Sequence, residues 1–206
     1  RRYNPEGLSR VNIVPGLIGT ILTMTMIMFT ALAMTRERER GTMENLLATP
    51  VRPAEVMAGK ILPYVVIGYL QLVVILGAAW LLFRVPMLGS RPLLGAMIGV
   101  FIVANLAVGF SFSTLARNQL QAVQMTLFFF LPSILLSGFM FPFRGMPRWA
   151  QAIGEVLPLT HFLRIVRGIM LKGSTLTELL PELGALLAFT ALVSALALLR
   201  YRQTLD

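Results

Sequence analysis

Residues 35–60, TRERERGTMENLLATPVRPAEVMAGK, form a polar island between two apolar runs, 13–34 and 61–83, neither of which holds a charge. About 20 consecutive apolar residues carry a helix across roughly 30 Å of hydrocarbon, and both runs reach that length. The island between them must therefore sit in water. It brings Arg36, Glu37, Arg38, Glu39, Arg40, Glu44, Arg52, Glu55 and Lys60 together in one compact connection. A membrane protein with such a connection offers a docking surface there.

Three further windows, 92–116, 122–141 and 179–199, are also apolar enough and long enough to span as helices. With 56% hydrophobic and 13% charged residues, a 206-residue chain has too little polar surface to cover a soluble globule. The reading is an all-α integral membrane protein with five transmembrane helices. Its net charge of +9 comes from 18 Lys and Arg against 9 Asp and Glu, placed mostly between the apolar runs, where they meet lipid phosphates or acidic partners. They form no stripe interleaved with aromatics, so nucleic acid is not an expected partner. Cysteine is absent and histidine occurs once, which removes disulfides, thiolate chemistry and an ordinary zinc site.

The chain opens on Arg1, and residues 1–12 are polar, with Pro5 and Gly7, so they do not read as a signal peptide. A fragment or processed chain is expected. The other connections are 84–91, 117–121 and a long segment, 142–178. That segment holds Trp149, Ile153, Val156 and Leu157 at helical spacing, then Pro158, then a second run over 161–171 with Arg164 and Arg167. Gly138, Pro142, Gly145 and Pro147 interrupt the chain on the way in. Such pieces are satisfied lying in the headgroup layer or dipping into the membrane and returning. The positive-inside rule does not decide orientation. The side of the island collects Arg36, Arg38, Arg40, Arg52, Lys60, Arg117, Arg200 and Arg202; the other collects Arg1, Arg2, Arg10, Arg84, Arg91, Arg144, Arg148, Arg164, Arg167 and Lys172.

Within the island, Arg36 with Glu39 and Glu37 with Arg40 make i,i+3 pairs that extend the first span as a solvated helix. Gly41 breaks it. Thr42 suits an N-cap, Glu44 falls in the first turn, and Met43, Leu46 and Leu47 form an apolar edge. Pro50 disfavours helix at Thr49, and Pro53 suits the first position of the next helix. A stubby helix at the tip of the loop and an ordinary solvated connector are both compatible with this pattern.

RERERGTMENLLATPVRPAEVMAGKILPY, with SGFMFPFRGMPRWAQ, LPLTHFLRIVRGIMLKG and the opening RRYNPE, resembles the permeases of the ABC-2 type transporter family, the membrane subunits of type-2 ABC exporters. The drug-efflux subgroup is the most similar. The resemblance implies six spans in a whole member, of which the first is missing here, with residues 1–12 ending an extracytoplasmic domain and 13–206 forming the transmembrane domain. It implies that 35–60 is a cytoplasmic coupling loop, that 42–49 is the coupling helix, and that 142–178 is an extracytoplasmic re-entrant segment. Glu37, Glu39, Gly41, Thr42, Met43, Glu44, Leu46, Leu47, Thr49 and Pro50 would then contact an ATP-binding subunit, which itself binds ATP and Mg; this chain is expected to hold no cofactor. Other implied partners are a second permease copy or homologue, membrane lipids, a hydrophobic small-molecule substrate and a periplasmic adaptor. The implied location is the bacterial cytoplasmic (inner) membrane, and the alternative cargo is lipid or polysaccharide.

The residues bear on this independently. No G-x-x-x-x-G-K-[ST] loop is present, and Gly59-Lys60 lacks both the upstream glycine and the following hydroxyl, so nucleotide hydrolysis belongs to another polypeptide. The spans read as free of ionisable residues in their interiors, which argues against the other class, an ion-coupled secondary transporter. Gly95 and Gly99, and the small-residue face Gly184, Ala188, Ala191 and Ala195, read first as seams for packing within the chain and second as a homodimer seam. Gln71, Asn105, Ser111, Ser113, Gln124, Ser133 and Ser137 are expected to bond to neighbouring helices or carbonyls. Met24, Met26, Met28, Phe29, Met125, Phe128, Phe129, Phe130, Phe139, Met140 and Phe141 read as core or lipid-facing before they read as a drug surface. His161 is expected at the interface, and Ser137 with His161 is not expected to form a nucleophile–base pair.

Overall fold

The computed structural model describes residues 9–40, 53–83 and 87–203, and these residues are helical almost throughout, with no strand among them. Four long helices come first: α1 (Ser9–Glu39), α2 (Pro53–Phe83), α3 (Arg91–Leu115) and α4 (Gln119–Leu136). A hairpin follows, made of a 3-10 turn (Phe143–Gly145), α5 (Arg148–Val156), α6 (Pro158–Arg167) and a π turn (Gly168–Lys172), and α7 (Leu176–Gln203) ends the described chain. Five of these helices are long and apolar enough to cross a membrane.

The helix boundaries follow from local chemistry. Helix α1 continues past its apolar run to Glu39, as the alternating charges require, and α2 starts at Pro53. Helices α3 and α4 are separated by three residues, 116–118. The turn holds because the Asn118 side chain accepts from the Gln121 amide at 2.8 Å while the Gln121 side chain accepts from the Arg117 amide at 2.8 Å. This reciprocal arrangement resembles a capping box and satisfies amides that would otherwise be orphaned. The fourth span ends earlier than the hydropathy suggests. Leu136 is its last helical residue, and Gly138 takes φ of 84°, so the apolar stretch through Phe141 leaves the helix axis.

Two helices form the centre. The apolar windows of α1 and α3 are 56% and 67% buried within the chain, whereas those of α2, α4 and α7 are only 11%, 17% and 11% buried. The close approach of α1 and α3 depends on Gly109, where a Cβ would lie 2.6 Å from the Ile27 carbonyl oxygen. Small residues let membrane helices gain packing contact where there is no hydrophobic force between them. The G-x-x-x-G of α3 divides: a side chain at Gly99 would collide with the Tyr69 hydroxyl, whereas Gly95 has open space. The small-residue face of α7 makes no internal seam, because Gly184, Ala188, Ala191 and Ala195 are all exposed. The expectation of internal packing there is therefore corrected.

Most polar groups in the spans satisfy themselves locally. Asn105 donates to the Phe101 carbonyl at 2.8 Å, Ser113 to Phe110 at 2.6 Å and Ser133 to Phe129 at 2.7 Å. Thr25 donates to Gln71 at 2.9 Å and ties α1 to α2, and Ser111 reaches the Val193 carbonyl on α7 at 3.4 Å. The sulfur and aromatic side chains split between core and exterior: Met26 is buried, whereas Phe128, Met140 and Phe141 are exposed.

Candidate functional site: the re-entrant hairpin and the island-side helix ends

Helices α5 and α6 behave differently, although the sequence treats them as one segment. In α5, Trp149, Ile153 and Val156 point their apolar faces outward, an arrangement suited to the headgroup layer. In α6, the residues from Pro158 to Leu163, with Ile165 and Val166, are buried. Leu159 and Phe162 press on α1 at Gly19, where a Cβ would lie 2.7 Å from the Leu159 side chain. Phe162 also stacks on Phe101 of α3, with ring centroids 3.8 Å apart and planes 7° from parallel. The segment therefore dips into the bundle and returns through its π turn and Gly173, whose φ is 68°.

A cluster of four ionisable side chains joins this hairpin to the last span. Glu155 of α5, His161 and Arg164 of α6, and Glu182 of α7 meet within hydrogen-bond distance. His161 Nδ1 lies 2.5 Å from a Glu182 carboxylate oxygen, and its Nε2 lies 2.8 Å from the Glu155 backbone carbonyl oxygen. Arg164 donates both terminal nitrogens to Glu155, at 3.0 and 2.5 Å, and reaches Glu182 at 3.3 Å. Its guanidinium also sits 4.8 Å from the centre of the Phe143 ring.

Both ring nitrogens of His161 face oxygen. A carbonyl can only accept, so Nε2 must donate, and the Nδ1 contact then needs a second proton, carried by the imidazole or by the Glu182 carboxyl. With an imidazolium, the cluster balances two cations against two anions; without that proton it holds a net negative charge beside an apolar core. The bidentate Arg164 bonds hold the Glu155 carboxyl below the usual glutamate range against the opposing effect of burial. The same bonds raise Arg164.

One sequence expectation is corrected here. The spans are not free of ionisable groups, since Glu182 lies inside the Leu176–Arg200 span. His161, expected at the interface, is 7% exposed and engaged on both sides. An averaged hydropathy window hides one carboxylate near the start of a long apolar run. The visible signal was the coexistence of a lone histidine and an in-span glutamate in neighbouring segments. Ser137 bonds weakly to the Ile134 carbonyl at 3.5 Å while His161 is committed elsewhere, so no nucleophile–base pair forms.

Arg167, on the same helix, donates to the Gly138 carbonyl at 3.2 Å, and its Nε is buried without a partner among the described residues. Burial lowers its pKa from the usual arginine value.

At the other end, Glu39 closes α1 onto α4. Its carboxylate accepts from the Gln119 amide at 2.8 Å and from the Gln119 side-chain nitrogen at 2.5 Å. A carboxylate at a helix N-terminus meets unpaired amides and the positive end of the dipole. These bonds hold the Glu39 carboxyl below its ordinary value. Glu39, expected to face a partner, is thus engaged within the chain. Glu37 lies two residues earlier on the same helix end. Gly41, Thr42, Met43, Glu44, Leu46, Leu47, Thr49 and Pro50 lie outside the described residues.

Comparison with known proteins agrees with this architecture. Residues 3–171 match the model of the ABC-2 type transporter family. The chain is 33% identical over 205 residues to a protein of Escherichia coli K12 named probable multidrug ABC transporter permease YbhS, covering 99% of this chain and 54% of that protein. It is 32% identical over 214 residues to the E. coli K12 inner membrane transport permease YhhJ, covering 99% and 55% respectively. A third relative, the linearmycin resistance permease protein LnrN of Bacillus subtilis, is 26% identical over 178 residues, covering 86% and 46%. The chain thus spans about half the length of the curated relatives it matches. With its five span-length helices and these relatives, it is a multi-pass inner-membrane protein that belongs to the ABC-2 type transporter family.

Proposed function

We propose that this chain is the transmembrane part of a permease subunit in an ATP-driven exporter. The island over 35–60 faces the cytoplasm, and residues 42–49 seat in a separate ATP-binding subunit that binds ATP and Mg and hydrolyses the nucleotide. Two such permease halves, identical or homologous, would form the transport path. Three relatives are named for multidrug, inner-membrane or linearmycin-resistance permeases, which favours a hydrophobic or amphipathic small-molecule cargo, with lipid or polysaccharide as the alternative. A periplasmic adaptor would complete the route.

The carrying observation is the Glu39–Gln119 clasp. Helices α1 and α2 bracket the island, and Glu39 ties the end of α1 to the start of α4, so a push delivered at the island moves both helices. A loop attached to one helix alone would transmit less. The test is Glu44→Arg, within the proposed contact segment 42–49. The expected outcome is a folded permease that no longer stimulates its ATPase; normal coupled transport by this variant would overturn the assignment.

One observation favours a second reading. Glu182, which contacts His161, is an ionisable group in a span, a feature of ion-coupled carriers. Its carboxylate is engaged by both His161 and Arg164, which suits a structural clasp better than a site that must load and unload. Transport that continues after collapse of the ion gradient and stops on ATP depletion would separate the two.

A further inference from the structure

On the hairpin side of the bundle, α2 and α3 diverge and leave a cleft of about 630 Å³. Its walls are Leu72, Leu76 and Trp80 of α2 and Leu94 of α3, with Met170 of the π turn closing one side and Arg91 at the rim. The cleft reaches the backbone at Gly77 and Gly95, where an added Cβ would meet no atom within 4 Å. Arg91 is exposed, and no ion pair to a carboxylate is found for it among the described residues. The lining holds one formal charge, and it is positive.

Size decides what kind of occupant fits. The cleft's volume falls within the range of about 300–1,000 Å³ typical of sites that take a small ligand or part of one. Depth decides the ligand's polarity: Trp80, near the end of α2, and Arg91, the first residue of α3, are both exposed, as expected at headgroup level. Below them the walls are apolar.

We infer that this cleft binds one anionic phospholipid from the leaflet on the hairpin side, with an acyl chain between α2 and α3 and the phosphate on Arg91. A guanidinium matches phosphate in charge and in paired donor geometry. The site also touches the re-entrant hairpin. The Leu88 amide donates to the Met170 carbonyl at 3.1 Å, and Met170 forms part of the cleft wall, so the lipid rests against the same turn that follows α6. π turns of this kind occur frequently at functional sites.

The two tryptophans make the site readable, because Trp149→Phe leaves Trp80 as the sole indole. That variant would be reconstituted in phosphatidylcholine bilayers and titrated with brominated phosphatidylglycerol or brominated phosphatidylcholine. The expected result is several-fold stronger quenching of Trp80 by the anionic lipid at equal mole fraction. Arg91→Gln should equalise the two lipids. Gly77→Leu, which fills the floor where the protein leaves space, should also remove the preference at an unchanged unfolding midpoint. Identical quenching by both lipids would mean an unselective lipid belt and would overturn the inference, as would a preference that survives Arg91→Gln.

Discussion

The two ends of this bundle are fastened in different ways. At the hairpin end, four ionisable side chains on three helices close a network against an apolar core, with His161 almost fully buried. At the island end, Glu39 holds the start of α4 through exposed bonds to Gln119. An ion pair away from water is costly to break because one partner is left uncompensated, whereas an exposed one exchanges readily with solvent. The hairpin is therefore built to hold position relative to the last span, and the island end is built to move. An ATPase pushing at the island would meet the softer fastening.

The largest effect should come from Glu182→Leu, which leaves His161 Nδ1 without its partner and Arg164 facing Glu155 alone. A loss of about 2–4 kcal/mol is expected in detergent unfolding, below the fully buried figure because Glu182 retains some solvent contact. Adding His161→Leu should recover part of that loss, as coupled neighbours do. Additive losses would mean that the cluster is not one network.

A smaller effect should follow acid. Because the Glu155 carboxyl is depressed in the folded protein, its ion pair contributes stability above its unfolded value, near the ordinary glutamate value of 4.5, and loses it as pH falls through the lower folded value. Unfolding midpoints measured below that value should fall for the parent and change less for Glu155→Gln. A parallel decline in both would place the acid sensitivity elsewhere. Glu155 is partly exposed, so the shift should be modest.

The least effect on stability belongs to Glu39→Gln, whose carboxylate is solvent-exposed. Its unfolding midpoint should match the parent, while ATPase stimulation by the permease should fall. An unchanged stimulation would remove the clasp from the transmission route and leave the island acting on α1 alone.

Much of the fold was legible because a bilayer imposes lengths. The five runs, the continuation of α1 through Glu39 and the start at Pro53 follow from hydropathy, charge alternation and the fixed φ of proline. The end of the fourth span was misplaced because Phe139, Met140 and Phe141 are apolar whether or not they are helical; the positive φ of Gly138 decides the matter. The site was legible only in part. Periodicity could show that 161–171 is helical, but the burial of α6 depends on Gly19 and Phe101, which lie far away in the chain. The partnership of His161 with Glu182 is likewise a product of the fold, 21 residues apart in sequence. Of the expected coupling residues, Glu39 shows how an exposed charge can be claimed by a neighbouring helix before any partner arrives.

The early stop of α4 bears on the surrounding lipid. Its 18 residues rise about 27 Å, whereas the 25 residues of α3 rise about 37 Å. A span shorter than the hydrocarbon is accommodated by local thinning of the bilayer, by its flanking residues or by association with a neighbour, so the flank beside Gly138 is where this protein places the greatest demand on the lipid around it.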